Sequence, residues 1–154
     1  MTHGRAILRA NNNWMRDRMT LNVTNAQAFL DQNFAAWVRA LNLTVTEIGP
    51  KGAVLTMPIT GDLARVGGII SGQALAAMAD TAMVIATGGH FGEMRPVATT
   101  NLDTQFLRPG RGDTIRCEAE IVRAGKALIF ARATMTALPD GKPVAAATAT
   151  FFVP

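Results

Sequence analysis

GGIISGQALAAMADTAMVIA, residues 68–87, places Ile, Leu, Ala, Met and Val on every side of a helix drawn through it. A helix that is apolar all round is a buried helix. Asp80 stands in its middle, and an aspartate is rarely buried without a partner. Two readings follow. Asp80 either caps backbone N–H groups or pairs with an arginine, or it faces a cleft as a general base or nucleophile whose pKa is tuned upward by desolvation.

The surrounding sequence supplies what such a helix packs against. Residues 24–42 place Ala28, Phe29, Phe34, Trp37, Val38 and Leu41 at helical spacing, with Thr24 or Asn25 as N-cap, and predict one amphipathic helix. LTVTEIG and GAVLTMPIT, joined by Gly-Pro-Lys-Gly, read as a β-hairpin. GDLARVGGI reads as a loop. The glycines of GGHFGE are expected to stop the long helix. The remainder then alternates with period two: Ile115, Cys117, Ala119 and Ile121 share one face, and Arg116, Glu118 and Glu120 the other. Helix, hairpin, buried helix and three or four consecutive antiparallel strands make an α+β fold, with one sheet available to wrap one helix.

The chain has 154 residues, enough for one domain with a sizeable core. It is 49% hydrophobic and 17% charged, too apolar for a disordered chain. The single cysteine, Cys117, forms no internal disulfide, and its place in the apolar phase of a strand makes it an inert core thiol. No signal-peptide pattern or membrane span stands out, so the expected compartment is the cytoplasm. The net charge is +4, and four of the arginines fall in the first eighteen residues, read as a basic tail. No His/Cys spacing suggests a metal. With His3 and His90 alone, and no G-x-S-x-G around Ser71, a Ser-His-Asp triad lacks a base. Arg111-Gly112-Asp113 reads as a polar turn. Nucleic acid is not an expected partner, because the N-terminal stretch is too short and unpatterned for a helix-turn-helix.

Gly72 begins the long helix, where its free N–H is a donor able to polarise a carbonyl oxygen. It lies eight residues from Asp80, roughly 12 Å along the axis at 1.5 Å per residue. Both groups reach one carbonyl only if they come from two copies of the chain, with the helices antiparallel across a twofold axis.

The stretch 68–87, together with TTNLDTQFLRPGRGDTIRCEAEIVRAGKALIFARATM (99–135) and DGKPVAAATATFFVP (140–154), resembles the hotdog-fold acyl-CoA thioesterases of the phenylacetic-acid-pathway (PaaI-like) group. The motifs that carry it are Gly-x-x-x-Gly leading to ADTA, and FLRP followed by a basic turn and an R-x-G-K hairpin. It spans residues 24–154 and leaves 1–23 as an N-terminal extension, loose or partly helical. The resemblance implies an antiparallel sheet rolled around a long central helix. It also implies homodimers, often paired into homotetramers, that act on coenzyme A thioesters without a cofactor. Asp80 matches the catalytic carboxylate, and Gly72 the glycine whose N–H binds the thioester oxygen. Thr99 falls where a Ser or Thr helps hold the attacking water, with Thr100 in reserve if the strand register is off by one.

Ser71-Gly72-Gln73 stands where many relatives show His-Gly-Gly, and Arg65 where they show Asn. The backbone donor survives such changes, and Ser71 and Gln73 can supply substituted hydrogen bonds to substrate or water. Arg65, Arg108, Arg111, Arg123 and Lys126, at turns and strand ends, are the expected contacts for the phosphates of coenzyme A. Leu75, Met78, Met83 and Phe106 are apolar candidates for the pocket wall, most of them read as plain core. The departures also motivate an alternative: a non-catalytic acyl-CoA-binding or regulatory protein that keeps the fold and pocket.

Overall fold

The computed structural model describes residues 21–154. Nearly all of the expected extension 1–23, with its four arginines, lies outside the described residues. Its last residues already join the fold: Leu21 packs against the core and Asn22 caps the first helix.

That helix, α1 (Val23–Asn33), starts earlier than the Thr24 or Asn25 cap expected from sequence. Asn22 is the N-cap, its Oδ1 accepting the Asn25 N–H at 2.8 Å. The single helix expected over residues 24–42 is also broken. Phe34 is extended (φ −85°, ψ 155°), and a separate short helix, α2 (Ala36–Arg39), follows. The break lets Phe34 set its ring edge-on to Phe29, with centroids 6.1 Å apart. It also turns Val38 and Leu41 into the core and leaves Trp37, which helical spacing had put on the apolar face, 62% exposed.

The hairpin forms as read, from β1 (Thr44–Gly49) and β2 (Gly52–Pro58). The stretch read as a loop contains a small ladder, β3 (Ala64–Arg65) with β4 (Ile69–Ile70). The long helix, α3, runs Gly72–Phe91, through the first two glycines of GGHFGE, and stops at the third, Gly92, in the left-handed region (φ 74°). Gly88 and Gly89 are there for contact. A Cβ at Gly88 would strike Met94 Sδ, and one at Gly89 the carbonyl oxygen of Gly49.

Four strands follow: β5 (Ala98–Phe106), β6 (Thr114–Ala124), β7 (Leu128–Leu138) and β8 (Lys142–Phe152). With the hairpin they form one antiparallel sheet in the order β1-β2-β6-β7-β8-β5. The period-two reading of β6 holds: Ile115, Cys117 and Ala119 are buried, and Ile121 is half-buried before a bulge between Ile121 and Arg123. α3 touches all six strands, so the sheet curls around it, and Leu75, Met78, Met83 and Ile85 fill the space between. Burial pushes the Cys117 thiol up to about 12, which keeps it a packing residue. Among the described residues, no helix is long and apolar enough to cross a membrane.

β5 is an edge strand. It pairs with β8 on one side, has no neighbour on the other, and is exposed at every residue but Thr104.

Candidate active site

α3 is covered on most of its circumference. The residues left half-buried or exposed along its length before the last turn are Gly72, Gln73, Ala76, Ala77, Asp80 and Val84, a stripe at three- and four-residue spacing. The sequence thus puts mostly small side chains, and the one carboxylate of α3, on the face that the sheet leaves open. β5 flanks this stripe and runs antiparallel to α3, with Thr99 at Asp80 and Phe106 at Gly72.

Thr99 Oγ1 donates a hydrogen bond to Asp80 Oδ1 at 2.9 Å. Burial raises the Asp80 pKa above the ordinary carboxylate range, and the Thr99 hydrogen bond pulls part of that shift back. Thr100 does not share the role. A bulge between Thr99 and Asn101 turns it away, and its hydroxyl donates to the Thr150 carbonyl. The ion pairs among the described residues, Arg95–Glu93, Arg116–Glu118 and Arg132–Glu120, do not involve Asp80.

At the other end of the stripe, Ser71 is the N-cap of α3, and its Oγ accepts the Ala74 N–H at 3.2 Å. That bond engages the hydroxyl expected to assist the substrate. The N–H of Gly72, the first residue of the helix, has no acceptor within the helix and sits at its positive end. Gln73 is exposed beside it.

The five expected cations fall into two groups. Arg65 belongs to the β3–β4 ladder that leads into Ser71, and Arg108 and Arg111 flank Gly110, whose carbonyl accepts the Ile70 N–H. These three lie at the Gly72 end. Arg123 and Lys126 lie at the opposite end of β6, roughly 30 Å away at about 3.3 Å per residue. The ladder Ala124–Ile129–Phe151–Thr99 ties that end to the Asp80 end of the stripe. A single chain therefore does not bring the five together.

Sequence reasoning missed the position of Phe106. Leu75, Met78 and Met83 are core, as read, but Phe106 is 56% exposed, with its ring over Gly72. Nothing in the sequence marked its strand as the uncovered edge. An open groove of about 650 Å³ lies elsewhere, along β1, β2, β6 and β7. Its Arg116, Glu118, Glu120 and Arg132 pair with one another, and none of the stripe residues lines it. Among the described residues, no cluster of His, Cys, Asp and Glu could hold a metal ion.

The model of the thioesterase superfamily matches residues 67–144, half of the chain, including α3 with Gly72 and Asp80 and the strand with Thr99. Solved structures share the architecture. A thioesterase family protein from Silicibacter pomeroyi is 27% identical, with a TM-score of 0.71 over 82% of this chain and 92% of its own. The PaaI protein of the E. coli phenylacetic acid degradation operon is 24% identical, with a TM-score of 0.74 over 85% of this chain and 91% of its own. A thioesterase from Haemophilus influenzae is 19% identical, with a TM-score of 0.76 over 88% of this chain and 92% of its own. A sequence search of curated proteins gives no match. Family model and architecture agree: the chain belongs to the thioesterase superfamily and has the hotdog fold.

Proposed function

We propose that this protein is a cytoplasmic acyl-CoA thioesterase whose residues 24–154 form the catalytic domain, and that each of its sites is shared between two chains. The observation that carries this reading is the open stripe of α3, with a helix N-terminus at Gly72, a desolvated carboxylate at Asp80, and about 12 Å of helix between them. One thioester carbonyl cannot span that gap.

A second copy closes it. The free edge of β5 offers unpaired backbone groups, which an identical strand satisfies when it runs antiparallel about a twofold axis. Such pairing sets the Thr99 end of one β5 against the Phe106 end of the other, which brings Asp80 towards the partner subunit's Gly72. The same operation gathers both cation groups: Arg123 and Lys126 of one chain approach the Arg65, Arg108 and Arg111 end of its partner. The nucleotide phosphates of coenzyme A suit that concentration of charge. A homodimer is the minimal active unit, and a homotetramer is two such dimers.

In each site the Gly72 N–H, assisted by the helix dipole, holds the thioester oxygen and the oxyanion that develops on it. Asp80 Oδ1 is held by Thr99, which leaves Oδ2 to take a proton from water as the water oxygen bonds to the carbonyl carbon. Collapse of the tetrahedral intermediate breaks the C–S bond. The thiolate leaves with the proton returned by Asp80, giving free acid and coenzyme A. General-base assistance of this kind contributes about 10²- to 10⁴-fold. Direct attack by Asp80 to form an anhydride uses the same geometry. Gln73, exposed in the first turn, hydrogen-bonds substrate or water in this reading, whereas Ser71 acts through the cap.

The alternative, acyl-CoA binding without turnover, draws support from Ser71, whose hydroxyl is engaged with Ala74 N–H. Thiol release from short-chain, medium-chain and aromatic acyl-CoAs by the native chain and Asp80→Asn separates the two readings. The expected result is turnover by the native chain and a loss of at least about 100-fold in the variant. Binding without turnover by the native chain would favour the alternative.

A further inference from the structure

We infer that Phe106 is a specificity-determining residue, the wall against which the acyl group lies beside its carbonyl, and that it discriminates against branching next to that carbonyl. The inference rests on the proposed thioester site and adds to it the identity of the wall.

Gly72 is the first residue of a twenty-residue helix and adopts no left-handed conformation. Glycine in a helix is less favourable than alanine, so some reason other than backbone freedom must hold it there. What a side chain there would press on is the Phe106 ring. A Cβ on residue 72 would lie 3.3 Å from both Cε1 and Cζ of that ring and 3.8 Å from Cε2. Across the ladder Phe106 pairs with Ala145, another small residue. Glycine on one side and alanine on the other seat the ring flush against the start of α3.

The ring is also where a core aromatic would not be. It is 56% exposed, on the inward phase of the uncovered edge strand, with Leu102 at 37% and Leu107 at 51% beside it. Exposed apolar surface of this kind at a site is contact surface for a ligand or partner. Here it adjoins the N–H proposed to hold the thioester oxygen. An acyl carbonyl bonded to Gly72 N–H therefore brings its neighbouring carbon against the ring. A straight chain or a flat ring slides along that wall, whereas a methyl branch on the first carbon meets it.

Phe106→Ala and Phe106→Leu test this with butyryl-CoA and isobutyryl-CoA, equal in composition and differing in that one branch. One methyl group in an apolar pocket changes selectivity by about 10-fold or more. Phe106→Ala should raise the isobutyryl-to-butyryl ratio of kcat/KM about tenfold over the native chain, with Phe106→Leu between them. The same ratio is read from Kd by calorimetry, so the wall is tested even if the native chain proves not to turn over its ligand, an outcome that by itself would overturn only the catalytic reading. A ratio that moves less than threefold in both measurements while the variants stay folded, or a parallel fall for both acyl groups, overturns the inference. So does a native chain that binds neither thioester.

Discussion

Thr99 Oγ1 lies 2.9 Å from Asp80 Oδ1 and donates to it across the gap between the edge strand and the central helix. The bond opposes the upward shift that burial imposes on the carboxyl group. A general base must be ionised, so its pKa sets the acid limb of the pH–rate profile. Thr99→Val keeps the shape and removes the donor, so Asp80 should titrate at still higher pH. The acid limb of kcat/KM is expected to move alkaline, with the rate above that limb reduced about tenfold or less. An unmoved limb would mean that the bond does not tune Asp80.

Asp80 also bears on stability, with a definite sign. Its folded pKa is raised, so the native state keeps the proton to higher pH than the unfolded chain does. Stability is therefore lost as pH rises from the ordinary carboxylate range through the raised value. Asp80→Asn removes that dependence. Thermal melts across this window should show the variant gaining on the native chain as pH increases, and a constant difference would contradict the assignment.

The two cation groups should act on binding and spare the chemistry. Arg108→Gln and Lys126→Gln lie at opposite ends of β6, yet each is expected to raise KM for an acyl-CoA about 3- to 10-fold with kcat little changed. Neither should affect a thioester of pantetheine, which lacks the nucleotide phosphates. Steady-state kinetics with both substrates checks this.

Gly89 marks the closest approach of α3 to the β1–β2 hairpin. A Cβ there meets the backbone oxygen of Gly49, which cannot rotate aside. Gly89→Ala should destabilise the fold by about 1–3 kcal/mol, seen as a lower denaturation midpoint. Gly92→Ala meets no neighbour and bears only the strain of its φ of 74°.

Much of this was legible in residues 68–87 and the alternating strands. An apolar helix needs a sheet to cover it, and the phases of β2 and β6 to β8 say which faces do so. The breaks were less visible. Residues 24–42 keep a helical apolar pattern through Phe34, and only the tertiary contact with Phe29 shows why the chain turns there. Gly88 and Gly89 read as a stop because a glycine that permits close contact looks the same in sequence as one that ends a helix. At the candidate site, Gly72 and Asp80 stood out by residue type. Thr99 came from a family resemblance, and the structure brings it to Asp80. Phe106 could not be told from Leu75, Met78 and Met83, the other apolar pocket candidates, because its significance lies in which strand is left at the edge.

The shared site is tested most directly by mixing two inactive chains. Asp80→Asn removes the base. Gly72→Pro removes the donor N–H at a helix position whose backbone tolerates proline, and its ring displaces Phe106 only in the site that is already disabled. If each site takes its donor from one chain and its base from the other, each mixed dimer holds one intact site and one doubly disabled site. Random mixing should then restore about a quarter of native thiol release, given symmetric dimers. Recovery near that level would establish that Asp80 serves the partner's Gly72. Mixed dimers that form, shown by mass, and stay as inactive as their parents would contradict it.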